Sequence, residues 1–105
     1  MSETVTVCQL DDVKPDSAVR FDIAGHRLAV IRLGDDVFVI GDRCSHADYS
    51  LAEGEVDPDE GTVECWKHGS TFSVDTGEPT TLPATKPVPT YTATVVGGEI
   101  QVVLP

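Results

Sequence analysis

Residues 27–41, RLAVIRLGDDVFVIG, place two runs of apolar and β-branched residues on either side of Gly34, Asp35 and Asp36. Runs of this length fit strands, and a Gly/Asp turn between them returns the chain beside itself. The pattern recurs. TVTVCQL (4–10) and VRFDI (19–23) come before it, with Gly25 at a turn. TVECW (62–66), TFSV (71–74), TYTATVV (90–96) and EIQVVL (99–104) come after it, with DTGEP and GGE as turn sequences. No window of twelve or more residues carries a 3.6-residue period, so helices are expected to be scarce. Seven or eight short strands in 105 residues predict an all-β fold, a small antiparallel sandwich or barrel. A chain of this length reads as one domain, 1–105, able to bury roughly two thirds of its unfolded surface.

Charge narrows the functional classes. Eighteen acidic residues stand against seven basic ones, a net charge of −11. Nucleic-acid binding needs the opposite sign, because affinity for phosphate comes from Lys and Arg. An anionic membrane surface would repel the chain as well. The acidic surface can serve solubility, steering toward a basic partner, or both. No run approaches eighteen apolar residues, so no membrane helix is expected. The opening MSETVTVCQLDD has neither the basic region nor the apolar stretch of a secretion signal. Three cysteines, two of them beside histidines, do not make a disulfide framework, and a reducing cytoplasm is the expected location.

The residues that carry chemistry gather in GDRCSHADYS (41–50) and ECWKHGSTF (64–72). Cys44 and His46 are separated by one residue, Cys65 and His68 by two, and the pairs by eighteen. Each pair follows directly on a predicted strand, so two loops at one end of the sandwich can face each other across an ion. LAEGEVDPDEG connects them, acidic and rich in turn formers. EPTTLPATKPVPTY (78–91) carries Pro79, Pro83, Pro87 and Pro89 and is expected to be stiff and irregular. Zinc accepts two thiolates and two imidazoles, but its usual spacings pair like with like. One mixed pair per loop suits a Rieske [2Fe–2S] centre, where two cysteines hold one iron and two histidines the other.

CSH at 44–46, CWKHGS at 65–70, FSVDTGEP and LPATKPVPTY together resemble the Rieske-type ferredoxins. The likeness is greatest to the ferredoxin components of bacterial aromatic-ring-hydroxylating dioxygenase systems, and it is strongest over 37–91. The resemblance implies a cluster-binding subdomain of two loops, about 42–85, on a barrel-like base. It implies one [2Fe–2S] cluster, with Cys44 and Cys65 on the inner iron and His46 and His68 on the outer one. It implies electron carriage from a flavin-dependent reductase to a terminal non-haem iron oxygenase, both docking at the exposed His46/His68 edge. With no nucleophile and no partnered general base in view, the chain is expected to be a carrier and not an enzyme, and a monomer. Two alternatives stay open: an accessory Rieske protein of another pathway, as a reductase subunit or in iron–sulfur metabolism, and a zinc-stapled binding module.

Around the ligands, the resemblance gives Ser70 a hydrogen bond to a bridging sulfide and places Pro83 over the third side of the cluster. Gly69 is expected to allow close backbone approach to the sulfurs. Trp66 is expected to pack under its loop, the other reading being a shield over the cluster. Cys8 reads as a buried small hydrophobe and His26 as a solvated turn residue. Tyr49 and Lys67 stand where respiratory Rieske proteins carry a disulfide, and Phe72 stands where they carry a tyrosine. Both departures point away from a high-potential respiratory role. The linker with DPDEG is one or two residues longer than is usual in the ferredoxin components.

Overall fold

The structure is a computed structural model that describes residues 3–45, 49–66, 69–81 and 85–104. His46, His68, Lys67 and Pro83 lie outside the described residues. The described residues form ten strands: β1 (Glu3–Gln9), β2 (Ser17–Ile23), β3 (His26–Leu33), β4 (Asp36–Gly41), β5 (Val56–Asp57), β6 (Thr62–Glu64), β7 (Thr71–Ser73), β8 (Thr90–Tyr91), β9 (Ala93–Val96) and β10 (Glu99–Leu104). They assemble as three antiparallel sheets, ordered β1-β10-β9, β2-β3-β4-β8 and β5-β6-β7. Among the described residues there is no α-helix, only the 3₁₀ turns Leu10–Asp12 and Leu51–Glu53.

The tight hairpins fall where the sequence placed them. Ile23 pairs with His26 across Ala24 and Gly25, both at positive φ (52° and 80°), and Val96 pairs with Glu99 across Gly97 and Gly98. Left-handed conformation at both central positions is what a two-residue hairpin needs to match strand twist. His26 is therefore not a solvated turn residue. It opens β3, half-buried, with its ring edge-on to Tyr91 at 6.0 Å between centroids.

Two other expectations change. TYTATVV breaks at Thr92, because β8 pairs with β4 while β9 pairs with β10, so one run of sequence serves two sheets. The acidic connection contains β5, which pairs Val56 with Val63.

β3 explains how the molecule is layered. Its central residues LAVI are all buried, but they alternate between two cores. Leu28 and Val30 join Val39, Ile100 and Val102 in a core between the two larger sheets. Ala29 and Ile31 join Ile40, Leu51, Val63, Phe72 and both Cys44 and Cys65 in the other. Strand side chains alternate faces, so a run buried on both sides reads as continuous hydrophobicity. Each fully buried Leu, Ile or Val contributes roughly 1.5–3 kcal/mol. The sheet β2-β3-β4-β8 is thus the wall against which the two cysteine loops are seated.

Candidate metal centre

The first loop leaves β4 at Gly41. A Cβ there would come within 2.8 Å of the Pro89 ring, and the Gly41 N–H donates to the Pro89 carbonyl at 2.8 Å. Beyond it, the Cys44 N–H donates to the Tyr49 carbonyl at 2.9 Å, and Arg43 bridges Ser50. The two described ends of the loop are thereby held side by side. Asp42, two residues before Cys44, is completely buried, a placement that an acidic residue after a strand did not announce.

The second loop repeats the design at the end of β6. The Cys65 N–H donates to the Ser70 carbonyl at 2.6 Å, and the Gly69 N–H returns to the Cys65 carbonyl at 2.9 Å. Gly69 has φ +76°, and no described atom lies within 4 Å of where its Cβ would be. Its positive φ is the left-handed backbone that turns the chain back to Cys65. Ser70 is completely buried.

Cys44 and Cys65 are 2 % and 0 % exposed, in one apolar core, and neither is in a disulfide. Phe72, paired with Val63 and fully buried, shares that core. Cys8 does not. A β-bulge between Thr6 and Cys8 turns Val7 and Cys8 together toward the other core, where Cys8 is half-buried instead of buried. Burial and then the Asp12 carboxylate push its thiol pKa up, which keeps it protonated.

Trp66 does not pack beneath its loop. It is 50 % exposed and meets Tyr49 edge to face, with ring centroids 4.9 Å apart at 82°. One aromatic contact thereby joins the two cysteine loops. The proline-rich segment is fastened to both. The Thr71 N–H donates to Thr81 Oγ1 at 2.9 Å, the Thr80 N–H to the Thr71 carbonyl at 2.7 Å, and Ser45 Oγ to the Lys86 carbonyl. A cavity of about 270 Å³ between Arg43, Cys44, Ser45 and Pro87–Pro89 reaches the first cysteine. The threonine latch escaped the sequence reading because hydroxyl partners ten residues apart leave no local pattern.

These features fit a metal cluster bound from the inside. Two thiols enter one dry core from matching positions, and thiolates are soft ligands for iron–sulfur chemistry. Uncompensated thiolates buried there would be costly, and bound metal supplies the compensating charge.

Residues 3–92 match the Rieske [2Fe–2S] domain family. The chain is 39% identical over 101 residues to the 3-phenylpropionate/cinnamic acid dioxygenase ferredoxin subunit of Escherichia coli (strain K12), covering 96% of this chain and 93% of the relative. The ferredoxin of carbazole 1,9a-dioxygenase from Nocardioides aromaticivorans IC177 superposes with a TM-score of 0.91 at 40% identity, over 94% of this chain and 95% of that one. A ferredoxin solved in complex with the reduced oxygenase of carbazole 1,9a-dioxygenase superposes at 0.87, 37% identical, over 94% and 91%.

Proposed function

Because this chain belongs to the Rieske [2Fe–2S] domain family, we propose that it passes single electrons from a flavin-dependent reductase to a terminal non-haem iron oxygenase acting on an aromatic ring. It is a ferredoxin, an electron-transfer component rather than a catalyst, with one [2Fe–2S] cluster per chain. The observation that carries the reading is the pair of buried thiols entering one apolar core from two facing loops.

In this reading Cys44 and Cys65 hold the inner iron, and His46 and His68 hold the outer one, within a subdomain of about 42–85 in a single domain of 1–105. When bound, a cluster with neutral imidazoles in place of two thiolates takes up and returns one electron at higher potential than an all-cysteine cluster. Phe72, Val63 and Leu51 keep water from the sulfurs. In this reading both partners dock at the His46/His68 edge, and Trp66, next to Cys65 in the sequence, is half-exposed. No described helix is long and apolar enough to cross a membrane. We place the protein in the cytoplasm, as a monomer.

The acidic surface gives the encounter a sign. Residues 53–64 include Glu53, Glu55, Asp57, Asp59, Glu60 and Glu64 and no Lys or Arg, on the same part of the molecule as the cysteines. Attraction to a basic docking face should be screened beyond about 8 Å at physiological ionic strength. In turnover assays with the reductase and oxygenase of its own host, leaving the protein out should stop product formation. The rate should fall steadily as salt is raised. Turnover without the protein would overturn the proposed function, and a rate flat in salt would limit the acidic surface to solubility.

The potential tests the place of residue 72. With Phe there, Ser70 is left as the hydroxyl donor, and the midpoint should lie near the low end of the Rieske range, roughly −150 mV. Reduction adds negative charge, so a donor aimed at a sulfur favours the reduced state. If Phe72→Tyr brings a hydroxyl to the Cys44 sulfur, a gain of about 0.5–1.5 kcal/mol raises the midpoint by roughly 20–65 mV. Ser70→Ala should lower it by a similar amount. Voltammetry of intact variants checks both, and an unchanged Phe72→Tyr midpoint would mean that residue 72 does not reach the sulfur.

A further inference from the structure

Asp42 is 0 % exposed, and carboxylates are almost never buried that completely unless something holds them. Here the side-chain oxygen that is hydrogen-bonded finds both partners at the exit of the first cysteine loop. Asp42 Oδ1 accepts from Ser50 Oγ at 2.8 Å and from the Ala52 N–H at 2.9 Å. Its carbonyl accepts from the Leu51 N–H at 2.6 Å, and its N–H donates to the Arg27 carbonyl at 3.0 Å. Oδ2 faces the guanidinium groups of Arg20 and Arg27 at 3.7 and 3.6 Å. One residue at the loop's entrance thus grips three consecutive residues at its exit and pins both ends to β2 and β3.

Cys44 lies inside that grip, two residues beyond Asp42. Among the described residues the same loop is also tied by the Cys44 N–H to Tyr49 carbonyl bond, the Arg43–Ser50 bridge, the Ser45 contact to Lys86 and the Tyr49–Trp66 edge. An apolar side chain could fill the space of Asp42 but would leave the Ser50 hydroxyl and the Ala52 N–H buried without acceptors. An asparagine could keep Oδ1 in place only by turning an amide donor toward two guanidinium groups.

We propose that Asp42 is the positioning residue of the first ligand loop, holding Cys44 in register through Ser50 and Ala52. It touches no reacting atom and acts through the loop it closes. The inference rests on the reading of Cys44 and His46 as cluster ligands.

The test compares Ser50→Ala and Asp42→Asn with Val102→Ala, a buried control in the other core. Two signals are followed: visible circular dichroism of the cluster, which senses ligand geometry, and the rate at which a ferrous-iron chelator strips the protein. Losing one hydrogen bond to a charged group should speed stripping about tenfold or more in Ser50→Ala. Its dichroism should change as well, and Asp42→Asn should go further in the same direction. Val102→Ala should melt earlier yet keep the wild-type dichroism and stripping rate. Should Asp42→Asn fail to fold, Ser50→Ala decides alone. A coloured wild type with an unchanged Ser50→Ala, or a Val102→Ala that matches Ser50→Ala in both signals, overturns the positioning role. A wild type without the cluster overturns the ligand reading first.

Discussion

Cys44→Ser and His68→Ala should each yield a colourless protein, while the wild type and Cys8→Ser should be red-brown with about two irons and two sulfides per chain. The effect is all or nothing for a physical reason. Cys44 and Cys65 sit in a closed apolar core at 2 % and 0 % exposure, with no described carboxylate or imidazole placed to take over a lost position. Serine presents a harder, less acidic oxygen where a soft thiolate is needed. His68 is one of only two imidazoles in the proposed ligand set, and alanine in its place offers no donor. Cys8 faces the other core as a protonated thiol, so losing it should cost packing only. Absorption spectra with iron and sulfide analysis decide the matter. A colourless wild type containing zinc would sink the ligand assignment, and a colourless Cys8→Ser would mean that Cys8 contributes to the site.

Gly54→Ala should be strongly destabilising. Gly54 ends the 3₁₀ turn Leu51–Glu53, and its backbone, at φ −84° and ψ 179°, suits any residue. What forbids alanine is space: a Cβ there would land on the Glu64 carbonyl oxygen, with the Glu64 carbonyl carbon at 2.8 Å. Glu64 cannot retreat easily, because its N–H is bound to the Glu55 carbonyl and the next residue is Cys65. Overpacking commonly costs about 1–3 kcal/mol, and a backbone-on-backbone clash belongs at or above the top of that range. Three kcal/mol corresponds to a melting point lower by roughly 12–24 °C. Gly25→Ala is the contrast. Its Cβ meets nothing, so only the left-handed backbone at φ +80° resists, at about 1–2 kcal/mol. If calorimetry gives the two variants the same melting point, the 3₁₀ turn does not lie tight on β6.

Local chemistry was legible in the sequence because covalent geometry enforces it. Strand side chains alternate with period two, so β1 to β4 and β10 could be placed within a residue or two, and Gly-Gly or Ala-Gly between runs allowed only a tight hairpin. The mixed Cys/His pairs stood out in the sequence because residue type and spacing repeat together at Cys44 and His46 and at Cys65 and His68, and the proposed ligand set rests on that repeat. Partner choice was not legible. Nothing near Thr92 says that β8 leaves the β9–β10 hairpin to pair with β4, since β4 lies far back in the sequence. The Val7–Cys8 bulge exists only against β10, and Trp66 stayed exposed because Tyr49, from the other loop, offered it an edge. Asp42 is the sharpest case. An acidic residue after a strand reads as a solvated turn, and only the convergence of Ser50, Ala52, Arg20 and Arg27 makes a buried carboxylate affordable there. Burial of a charge is decided by the donors and cations the tertiary structure can aim at it, and here the donors Ser50 and Ala52 and the cations Arg20 and Arg27 come from three separate stretches of chain.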